Sequence, residues 1–504
     1  MSSLEIIILL PLLAALAVGL GAPARATSLT AALVNLVWVI ALAVKYQPGE
    51  MGELAYVHKR IILENPALAL GVGADGVSLI MALLTVVVTV AAIWQTVDKP
   101  AMYYVASLLI SAGALGAFLS TDLFFIYAFH ELALIPTFLM IALHGRAEKE
   151  KRLAVAWKTT IYLGAGSLVL LAGLAWLVLE YSQAGKMEFD LTALRAMAQN
   201  SPISADKQAW IYLVLLIGFG TLVSLFPFHS WAAPAYATAP TPVAMLHAGV
   251  LKKFGLYGLL RIALPLLPQG ALTPWIMKLL LAALLGNILV IGLVTINQKR
   301  LDDMLANSSV MHMGYIFLGL AAGTEIALKG SVLLMFGHGI SIALLFALCG
   351  RMRNQLGTLE MDRLGGLGSH APLLMLVFGF GAFASIGLPG LANFAGEIMV
   401  FLGSFANGNE WTTFHVAQGL TPLHWTVVAA LWGVVISAVY MLRAFRKIFQ
   451  GSANSGLFMS DPSSSQSVPL VGMAAVLLVV GCAPSLLLSL MNGPLAVVAA
   501  AVAR

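Results

Sequence analysis

The chain has 504 residues, of which 60% are hydrophobic and only 10% charged, with a mean hydropathy of +0.94. That leaves too little polar surface to coat a water-soluble globule of this size, so a soluble domain is excluded and a polytopic helical membrane protein is expected. A net charge of +5 would point a soluble chain toward nucleic acid; here Lys and Arg sit mostly in short loops between apolar runs, so no nucleic-acid partner is expected, only topology in a lipid bilayer.

Apolar runs of roughly 17 to 25 residues are long enough to cross a bilayer. Fourteen are counted, near 4–22, 28–45, 76–95, 101–119, 122–143, 153–180, 208–228, 243–264, 274–296, 307–322, 329–350, 371–406, 425–449 and 468–490. The first could pass for a signal peptide, but it carries Glu5 where a basic lead would stand, and it reads as a membrane helix. The seventh runs into a stretch interrupted by Pro227, Pro234, Pro240 and Pro242. The twelfth is too long for one straight crossing and holds Gly387-Leu388-Pro389-Gly390, so two half-helices around a break are predicted. The expected fold is therefore all-α and polytopic, with about fourteen transmembrane helices, of which the seventh and twelfth are broken.

Residues 1–95 hold helices 1–3, 101–264 hold helices 4–8, 274–449 hold helices 9–13, and 468–504 hold the C-terminal helix. Tyr257-Gly-Leu-Leu-Arg261 ends the eighth run and Tyr440-Met-Leu-Arg443 nearly ends the thirteenth, while the two broken runs stand five apart. An odd-numbered repeat enters the membrane from opposite sides in its two copies, so two inverted five-helix repeats are expected, with a site at the interruptions. One alternate set of loops holds Arg25, Lys99, Arg146, Lys149, Lys151, Arg152, Lys299, Arg300, Arg351, Arg353, Arg363, Arg443, Arg446 and Lys447; the other holds at most ten basic residues, many of them in the long segments 46–75 and 181–207. The positive-inside rule then places both termini outward, away from the cytoplasm.

An ionisable side chain at bilayer depth costs about 2.5 to 3.5 kcal/mol on insertion scales, so it marks function more often than packing. Glu131, in FFIYAFHELALIPTFLMI, and Glu397, in GLANFAGEIMVFLGSF, are the two carboxylates deep in apolar runs, and Lys253 is the complementary cation. Lys252 and Lys253 point about 100° apart on a helix, so only one is expected to face a given interior path. Lys158 lies a turn into the sixth run, toward the cytoplasmic surface. His229 lies at the seventh break, with His247, His312 and His338 in later runs; a histidine suits proton transfer in both directions near neutral pH. Taken singly, each histidine reads first as a buried ring bonded to a carbonyl.

Cys349 and Cys482 stand alone, and no HExxH or CxxC spacing occurs, so neither a metal site nor redox chemistry is expected in this chain. Gly71-Val-Gly73 and Gly379-Phe-Gly381 lack the strand-then-helix setting of a nucleotide site and read as helix-packing or turn glycines.

GADGVSLIMALLT (73–85), FHELALIPTFLMIALHG (129–145), FPFHSWAAPAYATAPTPVA (226–244), AGVLKKFGLYGLLR (248–261), QKRLDDMLANSSVMHMGY (298–315), GHGISIALLFALCG (337–350) and GLPGLANFAGEIMVFLGSF (387–405) occur in this order along nearly the whole chain. Together they resemble the antiporter-like subunit M of proton-pumping NADH:quinone oxidoreductase, complex I. The resemblance implies a subunit of the inner (cytoplasmic) membrane that translocates protons through a central polar axis. It implies other antiporter-like and membrane-arm subunits as partners, with NADH, FMN, iron–sulfur clusters and quinone in those partners and no cofactor in this chain. By motif, Glu131 matches the fifth-helix glutamate, Lys253 the eighth-helix lysine and Glu397 the glutamate of the broken twelfth helix, with His229, His312 and His338 along the connecting path. The family's seventh-helix lysine falls here on Leu222, and its WLPDAH becomes Trp231-Ala-Ala-Pro-Ala-Tyr236. Glu131 thus lacks its usual cation unless Lys252, Lys253 or Lys158 takes the role. The alternatives are a subunit of a multisubunit Na+/H+ antiporter, a subunit of a membrane-bound hydrogenase-type complex, and a non-pumping spacer of the membrane arm.

Overall fold

The computed structural model describes residues 1–49, 53–64, 66–182, 187–406, 408–413, 419–451 and 458–503. In chain order its main helices are α1 (Ser3–Gly19), α2 (Ala24–Lys45), α3 (Gly76–Gln95), α4 (Ala101–Leu119), α5 (Leu123–His144), α6 (Lys149–Tyr181), α7 (Leu191–Asn200), α8 (Ala205–Val223), α9 (Ala232–Thr238) and α10 (Thr241–Leu266). They continue with α11 (Pro274–Ile296), α12 (Leu301–Ala322), α13 (Glu325–Leu356), α14 (Pro372–Ile386), α15 (Ala392–Gly403), α16 (Pro422–Phe449) and α17 (Ser464–Cys482). Among the described residues, 12 helices are long and apolar enough to cross a membrane. With the shorter α1 and the interrupted pair α14 and α15 they account for the fourteen runs read from the sequence. The last differs in extent: α17 stops at Cys482, before Pro484, and a separate short helix, Ser485–Met491, follows. Proline lacks the N–H that a continuing helix would need.

Helix starts are set by side chains that take up otherwise orphaned N–H groups. Ser2 and Glu5 form a capping box on α1, and Asp75, Asp122 and Thr324 accept from the first turns of α3, α5 and α13. The long connection 46–75 contains a structure the all-α reading did not anticipate. Strand β1 (Ala55–Leu63) pairs antiparallel with β2 (Leu68–Ala74). The hairpin is tied to its face of the molecule by Thr121 N to Gly71 O at 3.0 Å, and next to it Leu191 N bonds to Thr121 O at 2.8 Å. Gly71 and Gly73 are thus strand glycines just before α3, not the helix-packing or turn glycines expected, because Thr121 packs on both and leaves no room for a side chain.

Burial separates two kinds of helix. The apolar windows of α10 and α13 are wholly buried and that of α12 is 94% buried, whereas α2, α5, α16 and α17 keep large parts of theirs on the outside. The inner helices are those that carry Lys252, Lys253, His312 and His338. They pack closely because small residues meet: a Cβ on Gly339 of α13 would fall 2.7 Å from the Gly249 carbonyl of α10.

The interruption after α8 is held by specific donors. Helix α8 ends with Ser224 in the left-handed conformation (φ 68°), and Asn287 of α11 spans the gap. Its Nδ2 donates to Ser224 O at 3.0 Å and to Val310 O at 2.9 Å, and its Oδ1 accepts from Phe226 N at 2.7 Å. Trp231 Nε1 donates to Thr221 O at 3.1 Å, taking up another carbonyl of the last turn. Asn287→Ala is expected to strand these buried backbone groups at about 1–3 kcal/mol each. The check is a lowered thermal-inactivation temperature of the assembled protein, and an unchanged one would show that the break holds without this residue.

Candidate functional site

Residue by residue, the site begins at the wide turn of α10. His247–Leu251 form one π turn, in which Lys252 N bonds to His247 O, five residues back, at 3.1 Å. Such turns often mark functional positions in helices. Because α10 has protein on every side, both lysines face inward: Lys252 and Lys253 are 1% and 0% exposed. The two point apart, as adjacent helix positions do, and two neighbouring helices, α12 and α13, receive one lysine each. Lys252 Nζ donates to Ser309 O at 3.0 Å and lies 5.3 Å from the Tyr236 ring centre. Lys253 Nζ donates to Ala248 O at 2.6 Å and stands 3.0 Å from His338 Nδ1.

From His338 the row continues across the core. The rings of His338 and His312 are 5.5 Å apart. His312 Nδ1 lies 2.8 Å from Ser308 O, and its Nε2 lies 2.8 Å from Ser385 O, the last turn of α14 before its break. Beyond the break, Glu397 is buried with its carboxylate against Gly387, whose φ of 83° turns the chain there. A side chain at Gly387 would occupy the carboxylate's place. Glu397 also acts electrostatically on Tyr315 and Tyr440, and Tyr440 OH stands 2.8 Å from Ser308 Oγ. One turn before Glu397, Asn393 is fully buried with neither side-chain Nδ2 nor Oδ1 partnered. Sequence reading passed over Ser309 and Asn393 and took Tyr440 only as a mark of the repeat; a polar Asn in an apolar half-helix was a signal available.

On the other side of the lysines, His247 is buried between the Trp231 and Tyr236 rings, at 5.4 and 5.2 Å, within electrostatic reach of His130, Lys252 and Lys253. His130 stacks on Phe254 at 4.0 Å, and its Nδ1 lies 3.4 Å from Glu131. Glu131 also accepts from Ser167 of α6. Its side chain is 35% exposed, so it sits at the edge of the molecule. Lys158 is exposed on α6 and interacts with the half-buried His229, so neither joins the direct contacts around Lys253. His229 and Ser230 instead line a cavity of about 960 Å³ that opens among Arg146, Lys151, Arg300 and Asp302. Leu222 is buried at the end of α8. Among the described residues no three His, Cys, Asp or Glu side chains group as metal ligands.

Ionisable side chains enclosed between helices, with two of those helices interrupted beside them, define the ion-translocating class of polytopic membrane protein. Residues 120–421 match the family described as NADH:quinone oxidoreductase/Mrp antiporter, TM. Similar chains include NAD(P)H-quinone oxidoreductase chain 4 2 of Microcystis aeruginosa, 33% identical over 90% of this chain and 80% of that one. Another is NADH-quinone oxidoreductase subunit M of Pseudomonas aeruginosa, 30% identical over 91% and 88%. A chain of respiratory complex I from Thermus thermophilus superposes with a TM-score of 0.86 at 27% identity, covering 98% of this chain and 99% of that one. A chain of the Mrp complex from Dietzia sp. DQ12-45-1b shares the fold, with a TM-score of 0.82 at 20% identity over 100% of both. The chain belongs to this family and is an antiporter-like membrane subunit of the complex I type.

Proposed function

We propose that this chain passes protons through the bilayer along the row Glu397, His312, His338, Lys253, Lys252, His247, His130 and Glu131, driven by redox chemistry in partner subunits. The observation that carries the reading is the 3.0 Å contact between Lys253 Nζ and His338 Nδ1 inside a core with no lipid-facing side. One of two such groups must be a free base for that contact to be a hydrogen bond, so the pair shares a proton that can pass either way. Moving one charge against 100 mV requires about 2.3 kcal/mol, which a partner's redox step must supply. Replacing Glu397 by Gln in the assembled complex is expected to lower the number of protons moved per electron pair while NADH oxidation continues. An unchanged ratio would remove Glu397 from the path.

The same reading assigns 101–264 and 274–449 as inverted repeats, each with one interruption. It also assigns the basic face, with the large cavity at His229, to the cytoplasmic side of the inner membrane, both termini outward. Other antiporter-like and membrane-arm subunits are the proposed partners, and NADH, FMN, iron–sulfur clusters and quinone belong to partner chains in this reading. The cavity's polar lining supports it as the mouth through which water reaches His229.

Leu222 favours a second reading for the first half of the chain, in which the Glu131 side no longer conducts and serves as a spacer. If so, Glu131→Gln is silent and Leu222→Lys leaves the proton ratio unchanged. A fall in the ratio with Glu131→Gln returns that half to the conducting path.

A further inference from the structure

Between the ends of α3, α5 and α13 and the starts of α4, α10 and α17 lies a cavity of about 330 Å³, apart from the proton row. Lys99, Arg146, Arg351 and Arg353 line it, and no Asp or Glu does. The two carboxylates nearest these cations lie outside the lining and are already engaged. Asp302 accepts from both Arg300 and Arg353, and Asp461 accepts from Leu373 N and Leu374 N at 3.0 and 2.9 Å. Arg353 is the one lining cation paired with a carboxylate, Asp302; Arg146 donates to Thr241 Oγ1 and Arg351 Nη1 to Gln466 Oε1 at 2.9 Å, both neutral. Arg351 Nε and Arg353 Nη1 are buried with no partner at all.

Buried guanidinium donors without acceptors are rare in folded proteins and call for an anion. The first turn of α10 begins at Thr241, on the wall of the same cavity, and the positive end of its dipole adds to the field. Burial, with Arg353 alongside, lowers the Arg146 guanidinium to about 9. The volume fits a small ligand group. Trp94 and Tyr103 on the wall are the residue types that sit at the level of lipid headgroups.

We propose that this cavity binds a phosphate-bearing anion, supplied by the headgroup of an anionic phospholipid or by free phosphate. Phosphate oxygens would be held by the lining guanidinium groups of Arg146, Arg351 and Arg353, with Lys99 at the exposed rim as a further cation. Seated there, the anion would join the end of α13, which carries His338, to the start of α10, which carries Lys253.

The test uses the whole membrane complex, purified in neutral detergent, with two probes: a photo-crosslinkable phosphatidylglycerol and radiolabelled inorganic phosphate. Lys99→Gln, at the exposed rim, leaves the fold intact; Arg351→Gln reaches deeper, and Arg446→Gln, on the same face but outside the cavity, is the control. If the ligand is lipid, the segment 94–103 is labelled, labelling falls about fivefold for each cation removed, excess phosphatidylcholine and phosphate do not compete, and Arg446→Gln is without effect. If the ligand is free phosphate, saturable phosphate binding falls in the same two variants and the segment is not labelled by lipid. Neither probe distinguishing Lys99→Gln and Arg351→Gln from the control overturns the proposal.

Discussion

A complex carrying Lys253→Met is expected to oxidise NADH yet to lose transfer through this subunit by about 10²-fold or more, the usual loss when a positioned acid–base group is removed. Methionine keeps most of the side-chain volume, so packing between α10 and α13 is retained and the change isolates the ammonium. Lys253 Nζ is the group that joins the Ala248 carbonyl to His338, and the neighbouring Lys252 points instead at Ser309. Two adjacent lysines therefore have different partners, and Lys252→Met is expected to leave the His338 contact in place. Proton uptake by inverted vesicles, measured beside NADH oxidation, gives the proton ratio. Wild-type coupling in Lys253→Met would sink the proposed path at its centre. A loss equal in both lysine variants would instead show that the pair acts as one site.

The second large effect concerns stability. Asp75, wholly buried, caps α3 through Ser78 N and pairs with Arg261, which is 3% exposed near the end of α10. Arg195 reaches the Arg261 carbonyl at 2.7 Å, and Tyr257, one turn earlier, bonds to Ser78 Oγ at 2.9 Å and Phe118 O at 2.8 Å. The pair thus fixes the helix that bears both lysines against α3. Asp75→Asn retains a good cap but leaves a buried guanidinium unpaired, which costs about 3–5 kcal/mol. Thermal inactivation of the variant complex should fall sharply, and the double change Asp75→Asn with Arg261→Gln should recover much of the loss, since no unpaired charge then remains. If Asp75→Asn alone is as stable as the unaltered protein, the ion pair is not what holds α10 to α3.

Much of the architecture was legible in the chain because lipid imposes a simple rule: each crossing must be a long apolar run whose backbone bonds are made within it. The runs at 76–95, 101–119 and 274–296 agree with observed helices to a residue or two. The break at Gly387 to Gly390 was readable from its glycines and proline. The β-hairpin was not, because Ala55–Leu63 and Leu68–Ala74 gain their pairing and their support from Thr121 and the 187–191 segment, far along the chain. The inward placement of Lys252 was hidden for a similar reason. Periodicity gives the angle between two side chains, but which directions are interior depends on what surrounds the helix.

Composition and order of residues alone determined that this is a many-helix membrane protein, where its helices run, and which few ionisable groups lie in apolar surroundings. Family membership, too, was written in motifs spread along the chain. Tertiary structure alone decided which of those groups meet: Lys253 with His338 and His338 with His312, while Lys158 stays at the surface and Glu131 at the edge. The reason is physical. An apolar run is a property of neighbouring residues and can be read locally, whereas a proton moves only between atoms within hydrogen-bond reach, and that distance is set by helices packed from distant parts of the chain.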